Sequence, residues 1–318
     1  MAEKKIPLVA VVGPTASGKT RLAIELCKAF DGEVVSGDSM QLYKQLSIAT
    51  AKPTAEEQQE VPHHLIDLLE PWESFSVAQY TALAHSTIGE LHNRGKLSVV
   101  TGGTGLYIRS LIDNIAFAPE QRDELYREEL RQKAKAEGNE AVHALLCKVD
   151  PQAAKAIHPN NLGRVIRALE VFRVAGTTMT QRQQQSKAVP SPYDACIIGI
   201  GCNDRQKLYD RIDLRVDNML KEGLLDEARL ALSMQLSPTA AQAIGYKEFI
   251  PYFEGRQSLE EATAVLKQQT RNYAKRQLTW FKREEGIHWL MLDNYNCYEE
   301  LVAEAVSLVK KALIDFGH

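Results

Sequence analysis

Apolar positions along the first hundred residues alternate between strand-like runs and helical spacing. Residues 8–12 form an unbroken apolar, β-branched run, residues 20–29 repeat their apolar side chains at helical intervals, and residues 32–36 read as a second short strand. Residues 77–93 carry Ala78, Leu83, Ile88 and Leu91 on a helical pattern, and 97–100 form a further buried strand. Continuously apolar strands are buried on both faces, so the pattern predicts an α/β fold built on a parallel sheet with helices on both faces. From about Pro119 the texture changes. Residues 122–137, 140–148 and 164–174 are highly charged and helical, the run 177–188 is polar, and no strand signal interrupts them. Extended character returns at 194–201, followed by helices over 205–222, 225–233 and 259–282, a strand at 288–292 and a terminal helix to Asp315. The expected organisation is a core made of 1–116 and 190–318, split by an all-helical insertion over 117–189.

Composition narrows the class. A chain of 318 residues with 44% hydrophobic and 25% charged side chains is an ordinary globular protein, not a disordered or collagen-like one. Its five cysteines, Cys27, Cys147, Cys196, Cys202 and Cys297, are odd in number and scattered, and they lack the paired spacing of a zinc or redox motif. Neither a signal peptide nor a run of about 20 apolar residues is present, so a cytoplasmic protein with no membrane segment is expected. The net charge of -3 does not by itself mark a nucleic-acid binder.

The first chemical signal is Gly13-Pro14-Thr15-Ala16-Ser17-Gly18-Lys19-Thr20, which fits the phosphate-loop pattern between a strand and a helix. Backbone N–H groups and the helix N-terminus can cradle a phosphate chain, Lys19 adds a point charge, and Thr20 can place a hydroxyl on Mg²⁺. The pattern indicates a di- or triphosphate ligand without naming it. A phosphoryl-transfer enzyme would carry an acid at the end of a later strand. Here 97–100 runs into Thr101-Gly102-Gly103-Thr104-Gly105, offering hydroxyls and glycines instead. Thr104 is either a donor to a phosphate or leaving-group oxygen, or a helix N-cap. Asp38, after the second strand, falls at the same rim of the sheet; it is either a general base or an N-cap.

These residues resemble one family, the tRNA dimethylallyltransferases or tRNA isopentenyltransferases, of bacterial type. The phosphate loop, Asp-Ser-Met-Gln-Leu-Tyr (38–43), Thr-Ala-Lys-Pro (50–53), Pro-His-His-Leu-Ile-Asp (62–67) and Gly-Gly-Thr-Gly-Leu-Tyr (102–107) match it in order. So do His-Pro-Asn-Asn (158–161), Arg-Ala-Leu-Glu-Val (167–171), Ala-Ile-Gly-Tyr-Lys-Glu (243–248) and Thr-Arg-Asn-Tyr-Ala-Lys-Arg-Gln-Leu-Thr-Trp (270–280). The chain departs from the family at Gln45 and Ala49, where glycine is common. The resemblance implies a P-loop NTPase-like core with a helical insertion that grips the anticodon stem. It also implies transfer of a dimethylallyl group from dimethylallyl diphosphate to the exocyclic N6 amine of the adenosine 3′ to the anticodon. On this likeness Asp38 is the base, Thr104 positions the donor, and Lys19, Thr20 with Mg²⁺, Arg211 and Arg215 serve the diphosphate. The tRNA-binding set implied is Asp38, Ser39, Met40, Gln41, Thr104, Arg127, Arg164, Arg167, Gln242, Ile244, Gly245, Tyr246, Lys247, Arg271, Lys275, Arg276, Gln277 and Trp280.

Local charge agrees with an RNA partner. No acidic residue lies between Ala262 and Arg283, where Lys267, Arg271, Lys275, Arg276, Lys282 and Arg283 are interleaved with Tyr273, Trp280 and Phe281. Helical spacing puts Arg271, Lys275 and Lys282 on one face, offering phosphate contacts beside stacking surfaces. The insertion adds Arg164, Arg167, Arg173, Arg182 and Lys187, with Glu170 opposing. His63 and His64 have no third ligand nearby in sequence and read as structural. The expected partners are a tRNA anticodon stem-loop and dimethylallyl diphosphate, bound by a monomer. A small-molecule kinase and a non-catalytic RNA-binding module are the competing classes; the first leaves the basic-aromatic segment without a purpose, and the second leaves the intact Lys19, Thr20 and Asp38 unexplained.

Overall fold

The computed structural model describes residues 5–115, 117, 123–187 and 189–315, and of residues 186 and 187 the backbone alone. The expected helix start at Arg122, the core boundary at residue 116, Ala188 and the side chain of Lys187 lie outside the described residues. The chain divides into two compact units, Met1–Ile112 with Pro192–His318, and Asp113–Ser191.

The first unit begins β1 (Ile6–Val12), α1 (Lys19–Phe30), β2 (Gly32–Ser36), α2 (Ala55–Glu60), β3 (His63–His64), α3 (Val77–Asn93), β4 (Leu97–Gly102) and α4 (Gly105–Ile112). The second unit holds α5 (Glu124–Glu137), α6 (Asn139–Val149), α7 (Pro151–Ala156), α8 (Leu162–Ala175) and α9 (Met179–Lys187). The first unit then resumes with β5 (Tyr193–Gly201), α10 (Arg205–Lys221), α11 (Leu224–Ser233), α12 (Ile250–Phe253), α13 (Leu259–Phe281), β6 (Ile287–Met291) and α14 (Tyr298–Asp315).

Among the described residues, six strands form one sheet in the order β3-β2-β4-β1-β5-β6, and every pairing is parallel. Alternation along the strands assigns the two faces. Val9, Val11, Val34 and Val99 join α1 and α14 in one buried layer through Leu22, Leu26, Leu301 and Val309. Leu8, Ala10, Val12, Val35 and Val100 meet α3 and α4 in the other, through Tyr80, Ile88, Tyr107 and Leu111. The α/β class with helices on both faces therefore holds. A third cluster, around Tyr43, Leu46, Val216, Leu224, Tyr246, Phe249 and Leu266, packs α10, α11 and α13 against the chain that follows β2. The second unit has its own core of Leu130, Val142, Leu146, Val165 and Leu169.

Local chemistry sets the ends of the long helices. Ser76 with Gln79 and Ser258 with Glu261 form reciprocal capping boxes that start α3 and α13. The polar run at 177–188 turns out to contain helix α9, which is tied to the start of α7 because Asp150 accepts from the Thr180 N–H and hydroxyl. Gln45 has φ 64, in the left-handed region where glycine is favoured.

Candidate active site

The parallel sheet brings the loops after β1, β2 and β4 to one edge, where they open into a cleft of about 1880 Å³. In the loop after β1, Ser17 is buried and its hydroxyl donates to Pro14 O at 2.9 Å, while Lys19 Nζ donates to the same carbonyl at 2.6 Å. Arg211 Nε donates to Ala16 O at 2.9 Å, and the Tyr298 hydroxyl donates to Gly18 O at 2.7 Å. A trans peptide points its N–H opposite to its carbonyl. Fixing the carbonyls of Ala16 and Gly18 by side chains of α10 and α14 therefore presents the N–H groups of Ser17 and Lys19 on the other side, at the start of α1. Gly18 makes this possible with φ 92, which a side chain would strain. Thr15, Ala16, Gly18, Lys19 and Thr20 line the cleft; Gly13, Pro14 and Ser17 form the loop's buried base.

Charge in the cleft is closely coupled. Burial, reinforced by the Arg215 guanidinium and opposed by Asp38, lowers the Lys19 ammonium to about 7. Burial likewise pushes Asp38 above the usual carboxylate range, against the pull of the Met40 N–H, Lys19 and Arg215. Burial lowers Arg215 as well, with Asp38 opposing. No helix follows Asp38 directly: Oδ1 accepts from Met40 N at 2.9 Å in a turn. Thr104 does accept the first α4 hydrogen bonds through its carbonyl, from Tyr107 N and Ile108 N. Its hydroxyl serves a different element, accepting from Ser39 N at 3.1 Å and meeting Ser39 Oγ at 3.3 Å. Thr104 thus staples the β4 loop to the residue after Asp38. Trp280 lies across the first residue of α4, where a Cβ on Gly105 would fall 2.2 Å from its ring.

Comparison with known proteins supplies the relationship. A family model described as IPP transferase matches residues 41–284, and one described as Isopentenyl transferase matches residues 6–69. The chain belongs to the IPP transferase family. The tRNA dimethylallyltransferase of Caldanaerobacter subterraneus subsp. tengcongensis is 46% identical to it over 299 residues, 93% of this chain and 95% of that protein. The Bacillus subtilis tRNA dimethylallyltransferase is 48% identical over 290 residues, 91% of this chain and 92% of that one. The crystal structure of the full-length tRNA isopentenylpyrophosphate transferase from Bacillus halodurans superposes with a TM-score of 0.73 at 44% identity, covering 98% of each chain. A eukaryotic dimethylallyltransferase described as acting on tRNA reaches 0.79 at 26% identity, covering 96% of this chain and 80% of that one.

In this IPP transferase family member, the cleft is also lined by Asp38, Ser39, Met40, Gln41, Thr104, Arg211, Arg215, Gln242, Ile244, Gly245, Lys247, Arg276, Gln277 and Trp280. Several residues expected to face RNA have other partners. Tyr246 is buried and its hydroxyl donates to Glu227 Oε1 at 2.9 Å. Gln277 is 5% exposed and hydrogen-bonded at both ends of its amide. Arg271 Nη1 pairs with Asp213 at 2.9 Å and Lys267 with Asp217 at 2.7 Å, because α10 lays an acidic row against α13. The face expected to join Arg271, Lys275 and Lys282 is therefore divided: Lys275, Arg276, Lys282 and Arg283 are turned outward, and Arg271 is turned to α10. In the helical unit, Glu170 is fully buried; it accepts from Arg127 at 2.7 Å through both carboxylate oxygens, from Arg167 at 2.6 Å and from Asp123 N at 3.0 Å. Arg127 and Arg167 thus hold an internal carboxylate, whereas Arg164 is exposed and Arg173 lies over the Tyr126 ring at 4.3 Å. His64 Nε2 meets Glu33 at 2.6 Å beside Arg94, and His63 Nδ1 meets Val61 O at 2.7 Å; these are structural contacts.

Glu227 is a residue that sequence reasoning did not single out. Its carboxylate accepts from Ser47 N, Ile48 N and Ala49 N at 2.8, 2.7 and 2.9 Å, and from Tyr246, so it fixes the stretch of cleft wall formed by residues 47–49. Nothing local marks it, because the backbone it holds lies 178 to 180 residues away in the chain.

Proposed function

We propose that the protein transfers a dimethylallyl group from dimethylallyl diphosphate to the N6 amine of the adenosine 3′ to the anticodon of tRNA, releasing diphosphate. The observation that carries this reading is the cleft itself, in which a phosphate loop and the carboxylate of Asp38 share one rim and the β4 end offers Thr101 to Thr104 in place of an acid. A diphosphate can be held there as a leaving group without a second carboxylate to direct water at it.

In the proposed reaction, the C1–O bond of the donor breaks and its electron pair leaves with the diphosphate. The N–H groups of the phosphate loop, Lys19, Arg211 and Arg215 neutralise the charge that builds on the departing oxygens. Thr104, held by Ser39, orients the donor beside Asp38. The N6 lone pair forms the new bond to C1, and the proton from N6 passes to the Asp38 carboxylate. Lys19 and Arg215 keep that carboxylate available by opposing the effect of its burial. Among the described residues no group of three His, Cys, Asp or Glu side chains could hold a metal ion. At the cleft the Thr20 hydroxyl, together with oxygens of a bound diphosphate, would suit Mg²⁺, an ion that keeps several waters and binds through substrate phosphates. Held by Thr20, Mg²⁺ would supply further charge neutralisation to the leaving diphosphate.

RNA binding is assigned to the cleft walls at Met40, Gln41, Gln242, Ile244, Gly245 and Lys247, and to Lys275, Arg276 and Trp280 on α13. The helical unit is proposed to grip the anticodon stem with exposed cations such as Arg164 and Arg173. Unpaired loop bases can be splayed onto aromatic rings, which makes an exocyclic amine reachable. No described helix is long and apolar enough to cross a membrane; a tRNA substrate goes with a cytoplasmic site of action. The test is a single-turnover incubation of labelled dimethylallyl diphosphate with an anticodon stem-loop that carries the adenosine or purine riboside at the same position. Label should enter only the adenosine RNA, with stoichiometric diphosphate; equal labelling of both RNAs, or none, would reject the reading.

A further inference from the structure

A glutamine side chain is a primary amide, with one strong acceptor and two donors in a fixed plane. Buried, it can replace a peptide group between two strands that no longer touch. The β1–β4 ladder ends at the pair Val12 and Gly102, after which the two chains diverge into the phosphate loop and the Gly103–Thr104 turn. Gln277 of α13 fills the gap. Its Oε1 accepts from Thr15 N at 2.8 Å and its Nε2 donates to Gly103 O at 3.0 Å. The residue is 5% exposed, so neither bond is easily replaced by water. Gly103 is needed for this approach, since a Cβ there would lie 2.0 Å from Nε2 and 3.8 Å from Asp38 Oδ2. Tyr273, one helical turn earlier, lines the same cleft beside Thr104 and Gln277.

On the proposed prenyl transfer, the phosphate loop holds the leaving group, and the Gly103–Thr104 turn, tied to Ser39, orients the donor beside Asp38, where the accepting amine sits. The distance between them is the gap the five-carbon group crosses. We propose that Gln277 is a positioning residue that sets this gap, joining the donor loop to the acceptor edge by a single side-chain rung. Tyr273, Arg276 and Trp280 of the same helix line the cleft, so the element that meets RNA is fastened to both reacting halves through one amide.

Gln277→Glu and Gln277→Leu test the assignment. In Gln277→Glu the ionised carboxylate still accepts from Thr15 but turns a bare oxygen on the Gly103 carbonyl; the protonated acid restores both the acceptor and the donor. Gln277→Leu removes both at every pH. Single-turnover transfer is measured at saturating donor and stem-loop across a pH series, as a ratio to wild type, with stem-loop affinity and thermal melting recorded at each pH. The account predicts that both variants lose about 10- to 100-fold in transfer rate at pH 8, the cost of a misplacement near 1 Å. Stem-loop affinity should stay within about threefold. The Gln277→Glu ratio should recover as pH falls and the Gln277→Leu ratio should not. Either a Gln277→Glu ratio that is flat with pH, or a loss confined to melting temperature or RNA affinity with saturated transfer unchanged, overturns the proposal. An inactive wild-type protein would instead refute the prenyl-transfer reading on which this inference rests.

Discussion

Burial and the neighbouring Arg215 guanidinium, opposed by Asp38, hold Lys19 at a pKa of about 7, so at pH 7 about half of the ligand-free molecules carry a neutral amine at the phosphate loop. A diphosphate arriving beside that amine favours the ammonium strongly, because two or more negative charges within a few ångströms in a partly desolvated cleft outweigh the burial that lowered it. Binding should then draw in about 0.5 proton per site at pH 7 and about 0.9 at pH 8, and less than about 0.2 at pH 6. The same linkage makes the Lys19 contribution to diphosphate affinity fall about tenfold per pH unit above 7, or about 1.4 kcal/mol. Calorimetric titration with inorganic diphosphate in buffers of different ionisation enthalpy measures the uptake. The ligand's own titration is removed by subtracting Lys19→Arg, whose guanidinium stays charged throughout. A difference between the two proteins that grows from pH 6 to pH 8 is expected; equal uptake, or uptake that shrinks as pH rises, would refute the electrostatic account of the cleft. In the ligand-free protein the sign for folding is opposite to the usual salt-bridged lysine. Between about 7 and its ordinary value of 10.5 the unfolded chain holds the proton that the folded site gives up, so this group adds stability as pH rises through that window.

Three further outcomes follow from the same structure. Glu227→Gln replaces an oxygen facing the Ala49 N–H and the Tyr246 hydroxyl with an NH₂ group or rotates the mismatch onto residues 47 and 48; losing charge-assisted bonds of about 1.5–3 kcal/mol each should speed amide exchange at 47–49 and raise the KM for the stem-loop. Unchanged exchange at those amides would count against its role as a wall-fixing residue. For Glu170, burial alone would raise the carboxyl, but the Arg127 and Arg167 hydrogen bonds overcome it and hold the group at about 2. Its contribution, on the order of 3 kcal/mol, is present above the unfolded carboxylate value and lost as pH falls towards 2. Melting of Glu170→Gln should therefore differ from wild type at pH 7 and converge with it in acid, and identical melting at pH 7 would contradict the assignment. Lys275→Ala should weaken stem-loop binding and reduce its salt slope by about one, whereas Arg271→Ala, paired with Asp213, should act mainly on stability. Equal slopes for Lys275→Ala and wild type in a filter-binding titration would remove Lys275 from the interface.

How much of this was legible in the sequence depends on the range of the interaction. The parallel sheet was, because β1 is a continuous apolar run, β2 and β4 each carry a Val-Val pair in a short extended stretch, and α1 and α3 keep helical spacing over three turns or more. The phosphate loop and Asp38 were, because strand order brings strand ends to one rim whatever lies beyond them. Short elements were not: α2, β3 and α7 have six, two and six residues, too few for a period to register. Neither were side-chain partners from distant elements. The basic stretch of α13 looks uncompensated along the chain, yet Asp213 and Asp217 face it from α10. Glu170 reads as one opposing charge among arginines; in three dimensions it is the buried centre that gathers Arg127 and Arg167. Gln277 sits in the stretch 270–280, which reads in sequence as part of a basic, RNA-facing segment, and only its burial separates an RNA contact from a rung between two loops.

In the proposed reaction everything turns on Asp38 taking the proton from the amine that attacks the allylic carbon. Asp38→Ala, assayed by single-turnover transfer from dimethylallyl diphosphate to the stem-loop with RNA and diphosphate affinities measured in parallel, tests it most directly. Loss of general-base catalysis should lower the transfer rate about 10²- to 10⁴-fold while both ligands still bind; transfer at the wild-type rate would contradict the account.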